Sequence, residues 1–220
     1  MIYNAQISNQ NRESVINYIL SKKQNGKFTV VDVGGSINGW SIPYVDAIVD
    51  FNPLPELNDN NKSIKYFSCD ITNPYNYDEI NKYILENGKF DFCICTHTLE
   101  DIMNPGFVLT KIAEMSKEGY IAFPSKYREL SYCEGNWRGY IHHRWIFTIK
   151  NNVLIGFPKI GYLESTNLFN SIMDLSENKS DLSFFWKEKI EFKYINNNYL
   201  GPNKQSVLGY YNNLCDPSYF

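Results

Sequence analysis

The run Thr29-Val30-Val31-Asp32-Val33-Gly34-Gly35-Ser36-Ile37-Asn38-Gly39, followed seven residues later by Ala47-Ile48-Val49-Asp50, decides how the chain reads. A β-branched run that ends in a glycine-rich turn, then a second apolar run that ends in an acid, is a way of holding a nucleotide-like ligand. Gly34 and Gly35 would let the backbone come close to the ligand, and Asp50 would accept hydrogen bonds from ribose hydroxyls. Asp32 and Asp50 stand 18 positions apart, near the roughly 20 expected between a glycine turn and its ribose acid. A dinucleotide site calls for G-x-G-x-x-G. The third position of that pattern, where a pyrophosphate needs bare backbone, is here Ser36. This disfavours NAD and favours S-adenosylmethionine, which carries a ribose and an adenine but no phosphates.

Outward from this stretch, strand-like and helix-like segments alternate. Ser8 to Lys22 has apolar residues at Val15, Ile16, Tyr18, Ile19 and Leu20, and predicts an amphipathic helix capped by Ser8, Asn9 or Asn11. Strands are predicted at Phe28–Val33, Ala47–Phe51, Ile64–Cys69, Phe90–Cys95 and Tyr120–Phe123, with helices at Tyr77–Leu85 and Pro105–Met115. Such alternation implies crossover units and a parallel sheet. Ligands of these sheets bind beyond the carboxyl ends of the strands, where strand order reverses. Asp32, Asp50, Asp70 and His97 all fall at or just after strand ends. Past Phe123 the pattern breaks. Pro124 to Trp145 mixes Gly, Arg, Tyr, Trp and a His pair, as an active-site loop does. Arg144–Ile149 and Val153–Phe157 read as a hairpin, Leu182–Ile195 as one late strand, and the Asn-rich tail from Asn196 as a surface wrap.

The net charge of −3 and pI near 5.7 argue against a nucleic-acid partner, since phosphate binding shows as a basic surplus. Hydrophobic residues make up 43% of the 220, enough for a sizeable core. Five cysteines (Cys69, Cys93, Cys95, Cys133, Cys215) without a framework fit reduced thiols and a cytoplasmic protein. Cys93 and Cys95 alternate, so both should point to one face of a strand. Met1 to Gln6 has neither the basic region nor the apolar core of a signal peptide. No stretch approaches the ~18 apolar residues of a membrane span.

Together these positions resemble the class I S-adenosylmethionine-dependent methyltransferases of small-molecule type, over roughly residues 28–124. Asp32-Val33-Gly34-Gly35-Ser36 is similar to the first family motif, and Asp50 to the acid that holds the ribose. Asp70, in Ser68-Cys69-Asp70-Ile71, is similar to the acid that reaches the adenine amine. Phe90 to Ile102 resembles the family's "shvLEHi.dp" signature, continued by Asn104-Pro105, and Glu118 to Pro124 its following strand. The resemblance implies a Rossmann-like α/β fold, with a mostly parallel central sheet flanked by helices and a C-terminal hairpin and loop elaboration. It implies one methyltransferase domain over 1–220, with 28–124 as cofactor core and 125–220 as acceptor-binding elaboration. It places S-adenosyl-L-methionine on Asp32, Gly34, Gly35, Ser36, Asp50, Phe51, Asp70, Ile71 and His97. Two departures stand out. Ser36 replaces a glycine, and the segment from Trp40 to Asp46, interrupted by Pro43, is too short for a full first helix. Asn73-Pro74-Tyr75 looks like an amide-methyltransferase motif but follows the third strand, and is read as a turn.

Methyl transfer to a hydroxyl needs an aligned acceptor and a group that takes its proton. His97, His142 and His143 are the candidate bases. His97 serves equally well as a residue packed over the cofactor. Arg138, Tyr140, His142, His143 and Arg144 would suit an acceptor with an anionic group and a sugar ring. The alternative makes Trp137, Tyr140 and Trp145 core anchors and the arginines solvated. Glu100 and Asp101 would suit a helix start, and Lys126 to Glu129 the acceptor mouth or plain surface. No metal is expected, because neighbouring histidines seldom share an ion and Mg²⁺ prefers carboxylates. The expected activity is O-methylation of a small polar acceptor: a sugar, a nucleotide-activated glycan precursor or a phosphorylated metabolite, as in surface-polysaccharide synthesis. The rivals are a non-catalytic cofactor-binding scaffold and a dinucleotide-dependent nucleotide-sugar enzyme. No membrane partner is expected, and a homo-oligomer is left open.

Overall fold

In a computed structural model, residues 1–9, 12–53, 63–172 and 178–195 are described, with positions 209, 211, 212 and 214. Seven strands form the central sheet: β1 (Ile2–Ser8), β2 (Val30–Val33), β3 (Ala47–Asp50), β4 (Lys65–Ser68), β5 (Phe90–Thr96), β6 (Ser116–Pro124) and β11 (Asp181–Lys187). Their order is β4-β3-β2-β5-β6-β11-β1. Strands β2 to β6 run parallel, while β11 is antiparallel to β6 and β1 antiparallel to β11. The expected mostly parallel α/β sheet is thus observed, and strand order reverses between β2 and β5.

Side-chain alternation explains the three layers. Val31, Val33, Cys93, Cys95, Ile121 and Phe123 share one core cluster with helices α2 (Asp78–Asn87) and α3 (Pro105–Met115). Val30, Ile48, Phe92, Ile94 and Tyr120 point the other way, onto Val15 and Ile19 of helix α1 (Arg12–Gln24). Buried on both faces, these strands read as continuous apolar runs, which is why they were legible. Cys93 and Cys95 do share a face. Asn104 caps α3, its side-chain oxygen accepting the Phe107 N–H at 3.1 Å. Glu100 and Asp101 therefore lie in the turn ahead of α3 and not in its first turn. Of the caps expected for α1, Asn11 falls outside the described residues.

Beyond β6 lie helix α4 (Lys126–Leu130) and a short pair, β7 (Tyr132–Glu134) with β8 (Trp137–Arg138). The predicted hairpin is observed as β9 (Trp145–Lys150) and β10 (Val153–Pro158). Asn151 and Asn152 turn it with φ of 52° and 60°, the left-handed pair that two-residue hairpins demand. The expected single late strand is two. After β11 the chain turns at Glu188, with φ +64°, and β12 (Phe192–Tyr194) joins β10 in a separate three-stranded sheet. Strand β1 was not expected. A register shift between Tyr3 and Gln6 and a left-handed Asn4 break its alternation. The central sheet thus draws two of its strands from outside residues 28–124. The tail from Asn196, expected as a surface wrap, lies mostly outside the described residues; of its described residues, Tyr211 and Leu214 are buried with Phe157 and Leu163.

Candidate active site

The turn after β2 opens at the reversal point. Gly34 has φ +77° and donates its N–H to the Val49 carbonyl at 2.8 Å. A Cβ on Gly34 would lie 2.2 Å from Thr98 Oγ1, and one on Gly35 would lie 2.3 Å from the Asp32 carboxyl carbon. Both glycines make room for the protein's own side chains as well as exposing backbone. Asp32 is buried and accepts the Ser41 hydroxyl. Ser41 leads a 3₁₀ turn, Ile42–Tyr44, which stands where the full helix is missing.

Burial pushes the Asp32 carboxyl up to about 6, against the lowering effect of the Ser41 hydroxyl. An acid whose pKa is raised on folding favours the folded state most below its unfolded pKa, near 3.9, and loses that advantage as pH rises through its folded pKa. Asp32→Asn, which cannot ionise, should therefore be more stable than the wild type at pH 7.5, by up to about 3 kcal/mol at ~1.4 kcal/mol per pKa unit. The gain should shrink to nothing or reverse by pH 4. Urea melts across pH 4–8 that run parallel for the two proteins would show that the ionised carboxylate carries no such penalty.

One cleft of about 690 Å³ spreads from this turn over the carboxyl ends of the strands. Of the expected residues it brings together Gly34, Asp50, Phe51, Asp70, Ile71, His97 and Arg144, with Thr98 and Asp101 beside them. Asp50, ending β3, receives the Asn52 N–H at 3.3 Å. Asp70 accepts the Thr72 N–H at 2.9 Å and its hydroxyl at 2.7 Å. Phe51 is 73% exposed, so its ring offers the cleft an apolar face. Asp32, Gly35, Ser36 and the chain from Arg138 to His143 are not among the residues lining this cleft.

His97 follows β5 with φ +52°, a left-handed conformation uncommon outside glycine. Its N–H donates to the Ala122 carbonyl at 2.9 Å, which ties it to β6. Its ring is 46% exposed, with Nδ1 3.4 Å from Glu100 Oε1. That contact with Glu100 raises the imidazole pKa above its ordinary value, and burial opposes it. Glu100 is 1% exposed, and neither carboxylate oxygen has a hydrogen-bond donor. At 3.4 Å the contact lies beyond good hydrogen-bond reach, and it becomes an ion pair only when the imidazole takes a proton.

The aromatic and basic loop divides. Arg138, expected at an anionic acceptor, is fully buried. Its guanidinium donates to the carbonyls of Leu130 (2.7 Å), Leu163 (3.0 Å) and Thr166 (2.6 Å), and to Asn170 Oδ1 (2.7 Å). It lies 4.2 Å from the Tyr132 ring centroid. Arg138 is therefore a brace between the end of α4 and the turns over 163–170, correcting its placement as a ligand contact; the carbonyls here need several donors, and a guanidinium supplies them from one side chain. Tyr140 is half-buried against His143, with ring centroids 4.7 Å apart. His143 is buried and its Nδ1 meets Glu129 Oε1 at 2.6 Å. Lys159 holds the other Glu129 oxygen at 2.9 Å. Lys126 and Glu129 are both buried, so neither is plain surface. Arg144 is exposed, and its backbone N–H donates to the Glu100 carbonyl at 2.7 Å, joining the loop to the turn after β5. The pairings of Glu129 were not legible, because nothing local marks an acid whose partners stand 14 and 30 residues away; Glu100, expected at a helix start, lies instead against His97, three residues before it.

Among the described residues no helix is long and apolar enough to cross a membrane. No protein-family model matches the chain, and no curated protein matches it. Among solved structures, the magnesium protoporphyrin IX methyltransferase of Synechocystis PCC 6803, with bound S-adenosylmethionine, is 13% identical. It overlaps over 79% of this chain and 76% of that one, with a TM-score of 0.39. The N-terminal domain of EvdMO1, in the presence of S-adenosylhomocysteine and D-fucose, is 10% identical over 82% and 84%, with a TM-score of 0.39. A cyclopropane-fatty-acyl-phospholipid synthase-like protein of Lactobacillus casei is 8% identical over 83% and 96%, with a TM-score of 0.38. Overlaps this loose assign no activity to the chain.

Proposed function

We propose that the cleft binds S-adenosyl-L-methionine and that the protein is a methyltransferase acting on a hydroxyl of a small, anionic or sugar-containing acceptor. The observation that carries this reading is the gathering of Gly34, Asp50, Asp70 and His97 around one cleft at the reversal point. These residues come from four separate strand ends. The cleft volume lies in the range of about 300–1,000 Å³ usual for cofactor-sized ligands. Its lining suits a nucleoside, with Asp50 and Asp70 as acceptors for ribose hydroxyls and an adenine amine, and Phe51 and Ile71 as apolar surfaces for the base.

When bound, the cofactor supplies an electrophilic sulfonium methyl. The chain's residues bind and orient, and they manage one proton. The His97 imidazole takes the acceptor hydroxyl's proton, and the buried Glu100 carboxylate beside it steadies the resulting cation. Arg144, at the cleft rim, offers a fork to an anionic acceptor group.

Calorimetry with S-adenosylhomocysteine tests the reading. The wild type should bind it and not NAD. Asp50→Ala should weaken binding by about 1.5–3 kcal/mol, the range for hydrogen bonds to a charged group. Absence of binding by the wild type would sink the proposal, and unchanged affinity in a folded Asp50→Ala would remove Asp50 from the ribose. Binding without turnover on any sugar or phosphorylated acceptor would favour the scaffold alternative.

A further inference from the structure

At the rim of the cleft, side chains from two segments converge on one point. Asp101 comes from the turn between β5 and α3, and His142 and His143 from the segment between β8 and β9. His142 Nε2 lies 3.8 Å, and His143 Nε2 3.7 Å, from Asp101 Oδ1. One ligand atom from each of the three lies within 4.8 Å of the others. The two nitrogen–oxygen distances are too long for hydrogen bonds, and Asp101 Oδ1 is buried without a donor.

The other side of His143 is already committed. Its Nδ1 meets Glu129 Oε1 at 2.6 Å, and Lys159 fixes Glu129 in turn. In the neutral tautomer that donates its Nδ1 proton to Glu129, Nε2 turns a lone pair towards Asp101, and two acceptors then face each other. A buried acceptor without a donor costs about 1–3 kcal/mol, and a cation between the three groups would remove that cost. Ligand atoms about 2.0–2.2 Å from a tetrahedral ion are about 3.4 Å apart, a few tenths of an ångström inside the two histidine–carboxylate distances. A carboxylate behind the ligating imidazole is also the usual support for a metal-bound histidine. The adjacency that argued against a shared ion is overcome locally. The His143 N–H bonds the Tyr140 carbonyl at 3.2 Å, and the two rings stand edge to face, 80° apart, with both Nε2 atoms near one carboxylate.

We propose that Asp101, His142 and His143 form a binding site for a divalent transition ion of the zinc class, with a coordination position left for water or an acceptor oxygen. Imidazole with carboxylate suits such borderline ions better than Mg²⁺. Asp101 also lines the cleft, so an ion here stands at its rim. His142 is mostly exposed, with 61% of its side chain accessible, which leaves an entry path. Only the acceptor role rests on the methyltransferase reading; the ion site does not.

The test uses the full chain, freed of metal by a chelator and dialysed, without S-adenosylhomocysteine. Zn²⁺ titrated by calorimetry should bind one ion per chain at micromolar affinity or tighter. Co²⁺ should show the visible absorption of a low-symmetry, four-coordinate site. Asp101→Asn and His142→Ala should each weaken binding at least tenfold with an unchanged circular dichroism spectrum, while His97→Ala binds as the wild type does. His142 is exposed, so its removal keeps the fold testable even where Asp101→Asn does not. Absence of stoichiometric binding would mean that a proton on His143 takes the ion's place, and the proposal would fall. Binding retained in both variants would overturn it as well. Failure of S-adenosylhomocysteine to bind would leave this result untouched.

Discussion

Arg138→Ala should cost the protein about 4–6 kcal/mol, a large share of the about 5–15 kcal/mol that holds a typical domain folded, and should give little soluble product. The side chain is fully buried and supplies donors to three backbone carbonyls and to Asn170. Truncation leaves a cavity and several buried acceptors without donors, each worth about 1–3 kcal/mol, though relaxation and water recover part of the total. Arg138→Lys should restore only a minor part, because one ammonium cannot reach carbonyls spread around the edge of a planar guanidinium. Urea unfolding of the three proteins checks this. A loss below 1 kcal/mol in Arg138→Ala would show that those turns find other donors. A raised acceptor KM with unchanged stability would return Arg138 to the substrate.

Gly34→Ala should lose about 3 kcal/mol of stability and most affinity for S-adenosylhomocysteine together. A Cβ at φ +77° meets its own backbone, at about 1–2 kcal/mol, and would sit 2.2 Å from Thr98 Oγ1, with overpacking of about 1–3 kcal/mol. The sequence alone suggests a glycine that serves the ligand only, so that a substitution would spare the fold. The structure ties the same atom position to Thr98. Thr98→Gly in the Gly34→Ala background should recover the packing share and leave the dihedral share, so the two changes should not add. Strict additivity in the four-protein cycle would place Thr98 away from the turn. Normal cofactor affinity in a stable Gly34→Ala would turn the glycine away from the cleft.

How much was legible follows from how local each cause is. Strands β2 to β6 are buried on both faces, so their apolar runs announce them without neighbours. The four strand-end residues Gly34, Asp50, Asp70 and His97 follow from those runs, since a parallel sheet delivers all its carboxyl ends to one side. Strand β1 was hidden by the left-handed Asn4, which breaks the alternation by which a strand is recognised. The merging of β11 with β12 has the opposite cause: apolar residues resume at Ile190 after the charged run Lys187-Glu188-Lys189, and the turn itself lies in the left-handed dihedral of Glu188, which no residue type there announces. The loop from Gly135 to Trp145 misled through its composition. An arginine that braces carbonyls and one that awaits an anion look alike until the partners are placed. Glu129 shows the same limit, since its partners His143 and Lys159 come from different segments.

The pairing of β1 with β11 sets the order in which the molecule can be completed during synthesis. Ile2 is paired with Trp186 and Ser8 with Asp181, so a strand made before β2 finds its partner only after β6 is complete. Strands β2 to β6, including the pairing of Val30 in β2 with Phe92 in β5, are all made before β11 and can assemble while the ribosome is still working. Strand β1 must wait as a free apolar edge until β11 has emerged and docked on β6. Contacts between such distant segments are the slow ones in folding, and an unpaired strand is an adhesive surface meanwhile. The far edge of the sheet is therefore where a newly made chain is most exposed to mispairing, and it closes beside Asp181, whose Oδ1 lies 4.0 Å from His97 Nε2.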